Sequence, residues 1–310
     1  MIYKKIEEIP INLKGKVAIK LHMGDECKGG KHTHISPEEV RVIVEKIKAN
    51  GGEPFLVDTT VLYKRKRETV EGYMEIAKIN GFGGFPIKID GPEDFIEVKI
   101  DDGLPVMVSK SLAAADSLLV LSHATGHITT GFAGAIKNLG MGGVVKEEKA
   151  RIHRPCTPLH NKDKCISCGQ CVEACPYGFL KMENKKLILD TKYCPACGRC
   201  IKSCKRGALY RAGGAFEKSF DKFARAAKAV LSVFKPESTV YITTLNNITM
   251  LCDCADDTRG IICKDMGYLT GNNPLHIDKE AADMIKKQNP TALNFRAWDL
   301  FAEKSKKYFS

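Results

Sequence analysis

The chain has 310 residues, 44% hydrophobic and 27% charged, without low-complexity tracts, which suits one large or two ordinary globular domains and excludes a fibrous or disordered protein. The start, MIYKKIEEIP, lacks an apolar stretch of signal-peptide length, and no window reaches the roughly 20 apolar residues of a membrane span, so a cytoplasmic protein without membrane attachment is expected. The formal charge is +11, but Lys and Arg are scattered and no basic stripe is interleaved with aromatics, so a small anion or an acidic protein is a better expected partner than nucleic acid.

Val17–Met23 (VAIKLHM) is a short run of β formers, expected as a buried strand. Ser36–Pro37–Glu38–Glu39 joins a capping box to a proline at the first helical position. Val40, Ile43, Val44 and Ile47 then recur at helical spacing until Gly51–Gly52 stop the helix. Phe55–Asp58 is the next strand, and strand–helix–strand at this spacing is a βαβ unit with parallel strands. A helix near Thr69–Ile79 follows, then strands at Ile87–Ile89, Phe95–Ile100, Val106–Ser109 and Ser117–Leu121. Beyond a cysteine-rich block come a helix near Phe216–Phe234, strands at Val240–Leu245 and Gly260–Ile262, and a helix near Asp278–Gln288. The expected fold class is α/β, a mostly parallel sheet with helices on both faces. Its first part spans residues 1–158 and its second 213–310, interrupted by an insert over 159–212 with prolines and glycines at its borders.

The insert holds eight of the 13 cysteines. Cys165, Cys168, Cys171 and Cys175 are followed by Pro176. Cys194, Cys197, Cys200 and Cys204 repeat the same C-x2-C-x2-C-x3-C spacing with Lys205 in place of proline. This doubled rhythm is that of two-cluster bacterial ferredoxins, in which the fourth cysteine of each run ligates the other cluster. The expected cofactors are therefore two [4Fe–4S] clusters, one on Cys165, Cys168, Cys171 and Cys204, the other on Cys194, Cys197, Cys200 and Cys175. CxxC pairs also make zinc ribbons, but zinc takes four ligands and gives no reason for two copies of a four-cysteine pattern.

Ligands of open parallel sheets bind beyond the carboxyl ends of the strands. The first strand ends at His22 and opens into Gly24–Ile35, long for a βα connection. The second ends at Asp58. Ser122–His123 leads into ATGHITTGFAGAIKNLGMGG, and Val240–Leu245 leads to Cys252–Asp253–Cys254. His123, His127, Lys137 and His22 are the candidate catalytic residues; Asp58, Gly131, Gly134 and Asn138 are candidates for holding substrate. The glycines allow tight turns whose exposed amides form a nest for a phosphate or carboxylate, with Lys137 as countercharge. Neither GxxxxGK[ST] nor a GxGxxG after a strand occurs, so no P-loop or stored hydride carrier is indicated. Cys252 and Cys254 read as metal ligands, a redox pair or buried thiols, and a third metal site with His22 or His123, or with Cys263, is an open alternative.

The segments IKLHMGD (19–25), PFLVDTTVLY (54–63), SHATGHITTGFAGAIKNLGMG (122–142) and CDC (252–254) resemble the ferredoxin-bearing branch of a widespread microbial family, DUF 362, a domain of unknown function. The resemblance implies that His22, Asp58, His123, His127, Lys137, Asn138, Cys252 and Cys254 fall on shared motif positions. Asp25 stands where that family tends to have glutamate, Asn273 where an aspartate is usual, and His276 where a small residue is usual. The expected function is an oxidoreductase that passes electrons through the clusters to a small anionic substrate or cofactor. The alternatives are a ferredoxin-like carrier or assembly factor that docks to a redox partner protein, and a non-redox enzyme with structural clusters.

Overall fold

Val17 and Ile19 pack into one hydrophobic core and Ala18 into another, the period of two that belongs to a strand buried on both faces. The structure is a computed structural model describing residues 1–26, 33–101, 103–254 and 258–309. Seven strands form the central sheet: β1 (Ile2–Tyr3), β2 (Gly15–Lys20), β3 (Gly52–Thr59), β4 (Ile87–Asp90), β5 (Ser117–His123), β6 (Thr239–Thr244) and β7 (Tyr268–Gly271). Their order is β1-β7-β6-β5-β2-β3-β4, with β6, β5, β2, β3 and β4 mutually parallel and β7 antiparallel to β6. Ile19 lies level with Leu56 on one side and Leu119 on the other.

Helices Pro37–Ala49 and Val70–Ile79 cover one face, burying Val40, Ile43, Ile47 and Tyr73 against Val17, Ile19 and Leu121. The capping box forms as expected: Glu39 N donates to Ser36 Oγ at 3.2 Å, and Ser36 N donates to Glu39 Oε2 at 2.8 Å. Helices Ala135–Gly142, Ala215–Leu231, Pro274–Gln288 and Phe295–Phe309 cover the other face, where Phe301 meets Phe220 and Phe223 edge-on at 5.3 Å. The fold is thus mixed α/β around a mostly parallel sheet. Among the described residues no helix is long and apolar enough to cross a membrane.

Three expectations change. Phe95–Val98 and Val106–Ser109 pair with each other as an antiparallel hairpin outside the main sheet, and Val108 makes a further bridge to Val144. Gly260–Ile262 makes a single bridge, Ile261 to Thr249, and the strand that extends the sheet is Tyr268–Gly271, only four residues long and partly polar. The glycine-rich stretch after Gly134 is helical, and its glycines serve packing. A Cβ on Gly140 would stand 2.7 Å from the Phe223 carbonyl, and one on Gly142 would stand 2.2 Å from Lys20 Nζ.

The cysteine-rich segment is closed by the pairing of Leu159–His160 with Leu209–Tyr210. It contains the hairpin Leu180–Glu183/Lys186–Leu189, the short helices Gln170–Glu173 and Arg199–Ser203, and its own small core of Leu180, Leu187, Cys200 and Leu209. It is tied to the sheet domain where Tyr193 Oη donates to Glu147 Oε1 at 2.9 Å and Arg211 Nε donates to the Cys156 carbonyl at 3.1 Å.

Candidate functional site

A cleft of about 380 Å³ lies at the carboxyl ends of β2, β3 and β5, lined also by the segment Leu251–Cys254 and by Tyr177, Pro195, Cys197 and Arg199 of the cysteine-rich segment. The sheet edge and the second cysteine group therefore share one cavity.

Its floor is a buried polar network. Lys20 pairs with Asp58 at 3.0 Å and donates to Asn138 Oδ1 at 2.8 Å. Asn138 Nδ2 donates to the Leu121 carbonyl (2.9 Å) and lies within reach of the Lys20 carbonyl and Ser122 Oγ. Asp58 accepts from Thr59 N at 2.9 Å and from the Tyr73 hydroxyl. Burial alone would raise the Asp58 carboxyl, but its charged neighbours, Lys20 foremost, outweigh it and hold it below the usual range. Asp58 and Asn138 do line the cleft, yet their polar atoms brace β2, β3 and β5 together.

His22 is half-buried, with Nε2 3.0 Å from Arg67 Nη1 and Nδ1 receiving Gly24 N at 3.1 Å. Burial and the Arg67 cation push its pKa down to about 3, so the ring is neutral. One nitrogen must carry the hydrogen, so only one of these contacts is a hydrogen bond at a time. Arg67, 1% exposed, also donates to Asp25 at 2.7 Å.

His123 is the reverse case. Nδ1 lies 2.7 Å from Asp253 Oδ2 and Nε2 2.9 Å from the Asn246 carbonyl, so both nitrogens donate to acceptors. Burial lowers its pKa, but Asp253 outweighs that and raises it. Both ring nitrogens of His123 are thus taken up by protein acceptors, Asp253 Oδ2 and the Asn246 carbonyl. Among the described residues, His127 keeps its Nε2 edge free. Its Nδ1 accepts from Thr130 N at 3.1 Å, which places the hydrogen on Nε2, and lies 2.9 Å from Thr130 Oγ1, whose hydroxyl donates to the Phe132 carbonyl; burial beside Lys137 depresses its pKa well below normal.

Burial lowers Lys137 to about 8 and Lys149 to about 7. Lys149 donates to Thr59 Oγ1 at 2.7 Å, whereas Lys137 lies 3.9 Å from Cys254 Sγ. Cys252 and Cys254 are joined as a disulfide across Asp253.

The expected amide nest is already filled. The Asp278 carboxylate, 1% exposed, accepts from Ala135 N at 2.6 Å and Ile136 N at 2.9 Å, and a Cβ on Gly134 would stand 2.2 Å from Asp278 Oδ1. Gly131 is not in the cleft lining. Its φ is +78°, and a Cβ there would stand 2.1 Å from the Asn294 carbonyl, so it marks a close approach to the start of the C-terminal helix. Lys149, Arg67 and His153 line the cleft although no local pattern singles them out. Cys27 and His32 lie outside the described residues. Cys263 is a buried free thiol.

In the cysteine-rich segment the two halves repeat one backbone shape: Ser167 and Gly169 have φ of 57° and 78°, Ala196 and Gly198 of 53° and 76°. Burial raises the Cys171 and Cys194 thiols, with Cys204 and Cys165 adding to the first and Cys197, Cys200 and Cys175 to the second, and Cys171, Cys175, Cys200 and Cys204 share one small core. The fourth cysteine of each run thus lies near the triplet of the other. Among the described residues no three His, Cys, Asp or Glu side chains gather as a site for a metal ion.

No curated protein matches this chain. Among solved structures it is similar to the lactate racemase apoprotein from Thermoanaerobacterium thermosaccharolyticum, at 12% identity and TM-score 0.44 over 93% of this chain and 52% of that one. It is also similar to a protein from Thermotoga maritima, at 11% identity and TM-score 0.42 over 97% of this chain and 56% of that one. The chain thus spans about half the length of either. The family described as "Domain of unknown function (DUF362)" matches residues 17–283, and the chain belongs to it.

Proposed function

We propose that the protein is an iron–sulfur oxidoreductase that takes electrons from a partner protein and passes them to a small anionic substrate in the sheet-edge cleft. The observation that carries this reading is the position of Cys197, Pro195 and Arg199 in the cleft wall, which brings the second cysteine group to the place where substrate would sit. The segment 159–212 acts in this reading as a ferredoxin-like module, and the crossed thiol neighbourhoods fit two cubanes, on Cys165, Cys168, Cys171 and Cys204 and on Cys194, Cys197, Cys200 and Cys175. When bound, the clusters supply single electrons. Cys168 is exposed while Cys194 and Cys200 are buried, so the first group is the entry side and the second the delivery side. Exposed Lys162 and Lys164 beside the first group suit an acidic redox partner.

Within the cleft Lys137, lowered by burial to about 8, is able to hold an anion and to give up a proton there, while Lys149, whose ammonium donates to Thr59 and Thr60, adds positive potential. His127 offers an Nε2–H as a neutral hydrogen-bond donor. Mass spectrometry of the small molecules extracted from anaerobically purified protein tests the reading. An anionic metabolite should accompany the parent and be lost from Lys137→Ala with iron content unchanged. No retained anion, or equal retention in the variant, overturns the substrate assignment.

A further inference from the structure

The middle residue of Cys252–Asp253–Cys254 is held inside the protein from two sides. His123 Nδ1 donates to Asp253 Oδ2 at 2.7 Å, and Thr33 Oγ1 donates to Asp253 Oδ1 at 3.2 Å. That anchor leaves both flanking cysteines on the cleft lining, with their Cα atoms 5.3 Å apart and their sulfurs joined. Lys137 Nζ stands 3.9 Å from Cys254 Sγ. A purely structural role fits poorly. A cross-link stabilises by removing loop-closure entropy from the unfolded chain, a gain that grows with loop length, and this one encloses a single residue. Cys156 and Cys263, by contrast, are buried as free thiols away from the cleft lining.

We propose that Cys252 and Cys254 are a redox-active disulfide that lets the one-electron clusters act as a two-electron reductant toward a small anionic disulfide bound in the cleft. This rests on the iron–sulfur reading above. The Cys252–Cys254 bond takes up two electrons, one from each reduced cluster, and breaks. Cys252 gains a proton from solvent and becomes a thiol, while Cys254 stays a thiolate beside the Lys137 ammonium. The Cys254 thiolate then attacks one sulfur of the substrate disulfide and expels the first substrate thiolate, which takes the Cys252 proton. The Cys252 thiolate attacks Cys254 Sγ, expels the second substrate thiolate (protonated by solvent) and restores the disulfide. One substrate disulfide, two electrons and two protons give two thiols, and no other co-reactant is needed. Lys137, Lys149 and Arg199 in the lining supply the preference for an anion.

A reductive titration of the anaerobic holoprotein with photoreduced deazaflavin decides the matter. The parent should take up about four electrons, one per cluster and two for the disulfide, and Cys252→Ser about two. About two in both proteins overturns the redox-active disulfide and leaves the cluster reading standing. About two in the parent and none in the variant overturns the clusters as the electron source. Iodoacetamide should alkylate reduced Cys254 about tenfold more slowly at pH 7 in Lys137→Ala, equivalent to one unit of thiol pKa, with the rate restored in Lys137→Arg. An unchanged rate overturns the role of Lys137. Oxidised glutathione, an anionic disulfide, should re-form the bond faster than uncharged hydroxyethyl disulfide, and equal rates overturn the anionic class.

Discussion

Lys20→Met is the sharpest test of the network beneath the cleft. Lys20 and Asp58 are 1% and 3% exposed and pair at 3.0 Å, so neither charge is screened by water. Methionine keeps most of the side-chain stem but, among the described residues, leaves the Asp58 carboxylate with the Thr59 amide and the Tyr73 hydroxyl as its donors, and leaves Asn138 Oδ1 without the Lys20 donor. Breaking one partner of a buried pair costs about 3–5 kcal/mol, and an orphaned buried acceptor about 1–3 kcal/mol. With overlap between the two, the expected loss is about 4 kcal/mol. The pH dependence gives a second signature. In the parent, burial raises the Asp58 carboxyl, but Lys20 and its neighbours outweigh it and the folded pKa lies low, so its contribution is present above the unfolded value near 3.9 and is lost as pH falls. Without Lys20 the burial effect gains weight and the folded pKa rises. The contribution is then fullest at low pH and is lost as pH rises toward 7. The deficit of Lys20→Met should therefore be smaller at pH 5 than at pH 7. Urea unfolding followed by far-ultraviolet circular dichroism at both values measures it, and adding Asp58→Asn should recover at least half of the loss. A cost below about 1 kcal/mol, or a deficit that grows at pH 5, refutes the reasoning.

Two further outcomes follow from local geometry. A Cβ on Gly126 would stand 2.0 Å from the Met250 carbonyl, so Gly126→Ala should push the segment carrying Cys252 outward and lower stability by about 2 kcal/mol in the same urea assay, whereas a neutral effect would mean that this segment yields freely. Cys175→Ser and Cys204→Ser should each damage the cluster nucleated by the opposite triplet, visible in electron paramagnetic resonance of the reduced protein; loss confined to the variant's own triplet would rule out the crossing.

Much of the site's address was legible because it depends on topology. Asp58 and His123 stand at the ends of their strands, His22 and Cys252 come after theirs, and parallel strands bring their carboxyl ends to one edge. The capping box at Ser36 and the helical spacing after it are equally local, and the helix forms where they place it. What misleads is the glycine-rich stretch. Its composition suits an anion nest, but the partner of its first amides is Asp278, 143 positions beyond Ala135, and nothing near Gly134 announces that. The roles of the histidines were hidden for the same reason. His123 and His127 look alike in sequence, yet the first is held by Asp253 and Asn246 and the second by its own Thr130. Arg67, Lys149 and His153 reach the cleft from short helices whose packing, rather than pattern, aims them inward.

The central claim is that the eight cysteines of the insert hold two [4Fe–4S] clusters, and iron and acid-labile sulfide per chain measure it most directly. Anaerobically purified protein should contain about eight of each, and reduction should elicit spectra of two interacting centres. Stoichiometric zinc in place of iron, or only about four irons, would contradict the account.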